Sequence, residues 1–138
     1  MRACDGCTLC CKLEKIPELN KPRCILCMYC DLGVGCAIYE DRPGRCQGFQ
    51  CGWLTSDMPD EMRPDKAHLY ISHVDSQIAN IMVDPEYPGA WAVGIGKAVV
   101  EGVRKGGRHA IVLVGDQVTF LPGYGVQRPE KLVLDWEL

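Results

Sequence analysis

No stretch of this chain approaches the roughly 18 uninterrupted apolar residues of a membrane-spanning helix. The opening Met1-Arg2-Ala3-Cys4-Asp5-Gly6-Cys7 holds no apolar run of the kind a signal peptide needs. Surplus positive charge is missing as well. Fifteen basic residues against 18 acidic ones leave a net charge of −3, so there is no long-range pull toward phosphate backbones or anionic membranes. Neither nucleic acid nor a membrane is an expected partner, and the expected location is the cytoplasm. Internal repeats and low-complexity tracts are also lacking. Histidine is scarce, and His68, His73 and His109 all lie beyond the last cysteine, Cys51.

What the chain does have is sulfur in one place. All ten cysteines fall between Cys4 and Cys51. Cys4, Cys7 and Cys10 are spaced by two residues and followed at once by Cys11; Cys24, Cys27 and Cys30 repeat the spacing; Cys36, Cys46 and Cys51 are single. Two residues between cysteines let a tight turn aim both sulfurs at one ion, the usual half-site of a tetrahedral metal. An all-thiolate set suits zinc or an iron–sulfur cluster and excludes magnesium and calcium. The triple resembles the bacterial ferredoxin run only in part, because Cys11 follows Cys10 directly. A disulfide framework is the competing reading of an even cysteine count in a short chain. The missing signal peptide, the repeated two-residue gaps and an apolar C-terminal half argue against it. One or two of the ten are expected to be ordinary buried thiols, with Cys30 the first candidate for a spectator.

The chain's 138 residues suit one domain. Residues 1–60, rich in Cys, Gly and Pro, have almost no periodic apolar run and need an external staple; residues 61–138 read as a small α+β region. The spacing predicts a hairpin from 68–74 and 77–83 through Asp75-Ser76, and another from 110–114 and 117–121 through Gly115-Asp116. Between them Pro88 suits the first turn of a helix running to about Lys105, with Trp91, Ile95, Val99 and Val103 on one face and Ala98 beside them. Gly106-Gly107 stops it. Residues 131–136 offer a short further strand. The fold class expected is α+β, with a Cys-rich, metal-stapled N-terminal half packed on a small antiparallel sheet with one helix.

Three stretches carry a resemblance: Cys4-Asp5-Gly6-Cys7-Thr8-Leu9-Cys10-Cys11-Lys12, Gly35-Cys36-Ala37-Ile38-Tyr39-Glu40-Asp41-Arg42-Pro43, and Cys46-Gln47-Gly48-Phe49-Gln50-Cys51. In their order they resemble the CxxCxxCC cysteine-cluster family, also called YkgJ-like, described as a zinc- or iron-chelating domain. The resemblance covers residues 4 to 54 and extends more loosely through Arg63-Pro64-Asp65. It implies a bacterial cytoplasmic protein with about eight ligand-like cysteines and no assigned activity; a related cluster occurs in flagellin lysine N-methylases. Carried over by position, the implied metal ligands are Cys4, Cys7, Cys10, Cys11, Cys36, Cys46 and Cys51, with Cys24 and its companion Cys27. Arg42 would offset the charge of a thiolate centre or pair with Glu40 or Asp41, and Tyr39 would pack on the cluster loop.

Other signals fail. Gly94-Ile95-Gly96-Lys97-Ala98 lacks the Gly and the Ser/Thr of a phosphate loop, having Trp91 and Ala98 there, and Val99 replaces the third Gly of a dinucleotide fingerprint. Arg104, Lys105 and Arg108 with His109 read as a solvated helix end rather than an anion site. The expected function is a structural, metal-handling or interaction module holding zinc or an iron–sulfur cluster, with an unidentified protein partner. The alternative is an iron–sulfur redox protein or an accessory subunit of a modifying enzyme. Nothing in the sequence identifies catalytic machinery.

Overall fold

The computed structural model describes residues 7–44, 46, 49 and 51–127, without the side chain of His73. Cys4 and the strand expected at 131–136 lie outside the described residues. Two short elements open the chain: helix α1 (Leu9–Leu13) and a two-stranded hairpin of β1 (Cys30–Asp31) and β2 (Gly35–Cys36). Then follow α2 (Pro64–Ala67), β3 (Leu69–Val74), β4 (Ile78–Val83), α3 (Gly94–Lys105), β5 (His109–Val114) and β6 (Gln117–Leu121).

The four later strands form one sheet in the order β3-β4-β5-β6. Both expected hairpins are present, β3 with β4 and β5 with β6. The sheet is nevertheless mixed rather than antiparallel, because β4 and β5 run parallel, Ile78 opposite His109 through Val83 opposite Val114. A parallel pair needs a long crossover, and α3 supplies it. Covered on both faces, β4 and the first five residues of β5 are buried throughout; this matches their nearly unbroken apolar sequences.

Alternation along the strands splits the core in two. Ile81, Val83, Ala110 and Val112 meet Val99 and Val100 of α3 on one face. Ile78, Met82, Ile111 and Leu113 meet Leu9, Leu13, Cys51 and Trp53 of the Cys-rich region on the other. The N-terminal region is therefore held by packing on the sheet, and the expected metal staple is corrected: no group of three or more His, Cys, Asp or Glu able to hold a metal ion occurs among the described residues. Burying one side chain such as Leu13, which is wholly inaccessible, contributes about 1.5–3 kcal/mol. Polar ties add to this: Lys12 Nζ donates to Asp84 at 2.8 Å, the Tyr70 hydroxyl donates to Glu14 at 2.6 Å, and Arg23 bonds Gly115 O and Asp116.

Helix α3 begins later than expected. Residues 90–92 form a separate 3-10 turn, and the buried face is Gly96, Val99 and Val100, leaving Ile95 and Ala98 exposed. Gly96 explains the break, since a Cβ there would lie 1.9 Å from the Ala90 carbonyl oxygen. The end falls where the glycines placed it: Gly107 has φ +81°, and Arg108 N–H donates to Val103 O at 3.3 Å, closing the last turn. Arg104 is more than a solvated end, because it donates to Glu101 and Pro122 O and lies over the Tyr124 ring. No helix among the described residues is long and apolar enough to cross a membrane.

Candidate functional site: a thiol cluster around Cys11

The site begins at α1, whose sequence Leu-Cys-Cys-Lys-Leu sends Leu9 and Leu13 into the core and leaves Cys10 and Cys11 at its edge. Past α1 the chain reverses. Pro17 starts a 3-10 turn, Asn20 takes the left-handed conformation at φ 52°, and Ile16 pairs with Lys21 in an isolated bridge. The reversal folds Lys21 beneath the end of α1, where its ammonium donates to the carbonyls of Lys12, Glu14 and Pro22. Carbonyls left open at a helix end are natural acceptors for a cation. Lys21 is only 7% exposed; its pKa is lowered by burial, against the opposing influence of Cys27, Cys11, Glu14 and Cys24.

The next segment lays more cysteines against this cation. Cys27 N–H donates to Cys11 O at 3.0 Å, and Cys30 N–H donates to Cys27 O at 3.0 Å. Thr8 joins the hairpin to α1: its hydroxyl oxygen accepts from Gly33 N–H at 3.2 Å, and its side chain also hydrogen-bonds Cys30. Within the cluster Cys11 bonds to both Cys10 and Cys30 through sulfur. The Cys11 pKa is lowered to about 6, first by the Cys10 hydrogen bond, then by that of Cys30 and the charge of Lys21, which together outweigh burial. Cys30 moves oppositely, to about 12, through burial followed by the Cys11 charge and the bond to it. The two sulfurs therefore titrate as a pair, with the negative charge favoured on Cys11, which has two thiol partners and the Lys21 charge.

Cys46 feels the charges of Cys11, Cys27 and Cys36, though burial is the chief cause of its raised pKa. Cys7 is apart, bonded to Leu9 N–H and to Arg63. Cys51 packs with Trp53 and Tyr70 and accepts backbone bonds from its own turn. The fold therefore gathers Cys10, Cys11, Cys24, Cys27, Cys36 and Cys46 from the expected ligand set and leaves Cys7 and Cys51 elsewhere. Among the described residues, however, no group of three or more His, Cys, Asp or Glu is able to hold a metal ion, which needs three or four sulfurs within about 2.3 Å of one point. The zinc or iron–sulfur cofactor and the metal-handling function expected from the spacing are accordingly not upheld. All nine described cysteines are free thiols. Cys30, expected to be a spectator, touches Cys11. Arg42 sits 3.9 Å above the Tyr39 ring and donates to Tyr39 O at 2.9 Å. The sequence carries no signal for Lys21 or Thr8, since nothing in a linear spacing marks a lysine that a turn folds back or a threonine that bridges two elements.

A second concavity, an open groove of about 560 Å³ lined by Lys66, His68, Tyr87, Val93 and Ile95, is more weakly equipped. His68 is left-handed at φ 61° and stacks on Tyr87 with ring centres 3.7 Å apart; neither it nor Tyr87 has a reactive neighbour shown in the groove.

Comparison of the chain with protein-family models, curated proteins and solved structures finds no match. The resemblance to the CxxCxxCC family is corrected on this ground and on the absence of a metal-holding group among the described residues.

Proposed function

We propose that the Cys-rich region is a thiol–disulfide exchange module with Cys11 as its attacking thiolate and Cys30 as its second thiol. The observation that carries this reading is the hydrogen bonding of the Cys11 thiol with Cys10 and Cys30, close enough to the buried Lys21 to feel its charge. A thiolate, not a thiol, is the nucleophile, and neighbouring cations and hydrogen-bond donors are what produce one near neutral pH. Attack on a disulfide R–S–S–R forms a Cys11–S–S–R bond and releases one thiolate. With Cys11 in the mixed disulfide its charge no longer holds Cys30 protonated; Cys30, already in contact, gives up its proton and attacks the Cys11 sulfur, and the second R group leaves as a thiolate that takes up a proton.

Residues 1–60 and 61–138 act in this as one domain, because the thiols are positioned by a core shared with the sheet. Nine free thiols fit a reducing compartment, which supports a cytoplasmic location.

The test is site-resolved alkylation by iodoacetamide, read by peptide mass spectrometry in the folded protein. Cys11 should be labelled first at pH 7, and its rate should fall as pH drops through about 6, where an ordinary thiol would titrate near 8.5. The sign follows from the lowered pKa: the reactive thiolate is present above it and lost below it. C11S should remove the fast phase. Labelling of Cys11 no faster than that of the other cysteines would overturn the proposal, as would stoichiometric metal retained by the purified protein.

A further inference from the structure

The hairpin that carries Cys30 also carries Cys36, and the backbone register sets the two directly opposite each other, with Asp31 opposite Gly35. Ala37 N–H donates to Tyr29 O at 2.8 Å, so the flanking 29/37 pair is the hydrogen-bonded one and Cys30/Cys36 is a non-hydrogen-bonded pair. Directly opposed residues point their side chains to the same face of the ladder. At a non-hydrogen-bonded pair the Cα atoms are about 4.5 Å apart, inside the roughly 4.4–6.8 Å that a disulfide spans. Both residues are partly exposed. The turn between them already has the required shape, with Gly33 at φ +77° and Val34 N–H bonded to Asp31 O at 2.8 Å. Closing the bridge therefore asks for side-chain rotation rather than movement of the strands.

From this register we infer that the oxidised form of the protein stores its disulfide between Cys30 and Cys36, with Cys36 taking the bond over from Cys11. The inference rests on the exchange reading given above and adds its end point. An external disulfide R–S–S–R is the oxidant. After Cys11 and Cys30 have joined, the Cys36 thiolate attacks the Cys30 sulfur; the Cys30–Cys36 bond forms, the Cys11–Cys30 bond breaks, and Cys11 leaves as the thiolate. Two electrons and two protons have passed from Cys30 and Cys36 to R–S–S–R, giving two R–SH. Exchange runs toward the better leaving thiolate, and the hydrogen bond from Cys10 and the charge of Lys21 make Cys11 that group. The attacking thiolate is thereby regenerated.

The experiment exposes the intact reduced protein to oxidised glutathione, quenches with acid, alkylates the remaining thiols and maps linked peptides. Cleavage after Lys and Arg and before Asp31 puts Cys11, Cys30 and Cys36 on three different peptides, so each bridge is read as a cross-link between two of them, with fragmentation distinguishing Cys30 from Cys24 and Cys27. At completion the wild-type protein should carry Cys30–Cys36 as its main disulfide. C36S should stop at Cys11–Cys30 or at glutathione on Cys11. If Cys11–Cys30 is the end product of the wild type, the relay is wrong and the exchange reading stands. If C11S forms Cys30–Cys36 as fast as wild type and no Cys11 adduct is ever trapped, the exchange reading itself fails.

Discussion

Cys11 and Gly96 show how much can hang on a single position. The sulfur of Cys11 differs from its neighbours only in what surrounds it, namely two thiols and an ammonium. Gly96 belongs to a Gly-Ile-Gly-Lys stretch that invites a phosphate-loop reading, yet its role is spatial: the Ala90 carbonyl occupies the place of a Cβ, and the side chain of Leu69 closes the gap at 3.0 Å. Gly96→Ala gains intrinsic helix propensity, but the backbone contact wins because carbonyl and helix cannot both stay in place. The substitution should destabilise the protein by about 1–3 kcal/mol, the usual cost of overpacking. Urea denaturation measures this directly, and a variant as stable as wild type would show that the 90–92 turn moves freely.

Among the elements, α1 illustrates the join between lobe and sheet. Five residues are too few to hold a helix by themselves, so α1 depends on Leu9 and Leu13 against the sheet and on the bond from Tyr70 to the carboxylate of Glu14. Glu14 is 4% exposed. Tyr70→Phe removes a donor from a buried carboxylate, and the expected loss is about 1–3 kcal/mol. Thermal unfolding would check it; an unchanged midpoint would mean that the other partners of Glu14 suffice. The strands and α3 were readable from the chain because apolar runs, turn pairs and terminal glycines are local signals. The parallel pairing of β4 with β5 was not, since an apolar strand does not declare the direction of its neighbour. The cysteine spacing was readable as a cluster but misleading about what the cluster holds: two-residue gaps bring sulfurs near one another without fixing the point they aim at. The sequence groups His109 with the basic residues of a solvated helix end, whereas it opens β5 and is 1% exposed. Its ring accepts from Gly123 N–H at Nδ1 and hydrogen-bonds Gln127 O through Nε2, which ties the segment after β6 to β5.

For the molecule as a whole, the layering decides how it comes apart. The core below the thiols contains Trp53 from the N-terminal region together with Ile111 and Leu113 from the sheet. Removing the Cys-rich region would leave the sheet its α3-side core but expose Ile78, Met82, Ile111 and Leu113, and the Cys-rich region would lose the sheet face on which Leu9, Leu13 and Trp53 pack. Unfolding should therefore be a single transition, as shared cores in chains of this size usually give. With Trp91 and Trp136 replaced by phenylalanine, the fluorescence of Trp53 should follow the same urea curve as far-ultraviolet circular dichroism. Two separated transitions would mean that the Cys-rich region lifts off a sheet that stays folded.

The same layering puts an interval into the life of each new chain. The thiols lie in residues that leave the ribosome before the two central strands they pack on, 78–83 and 109–114. At about 5–20 residues per second, the roughly hundred residues between Cys11 and the end of β5 take of the order of 5–20 s to make. For that time Cys11 has neither its platform nor its buried lysine, and it is an ordinary thiol among many. On the exchange reading, the setting of Cys11 is complete only once the sheet that packs Leu9 and Leu13 of its helix has been made, so the nascent chain is expected to react more slowly than the finished protein.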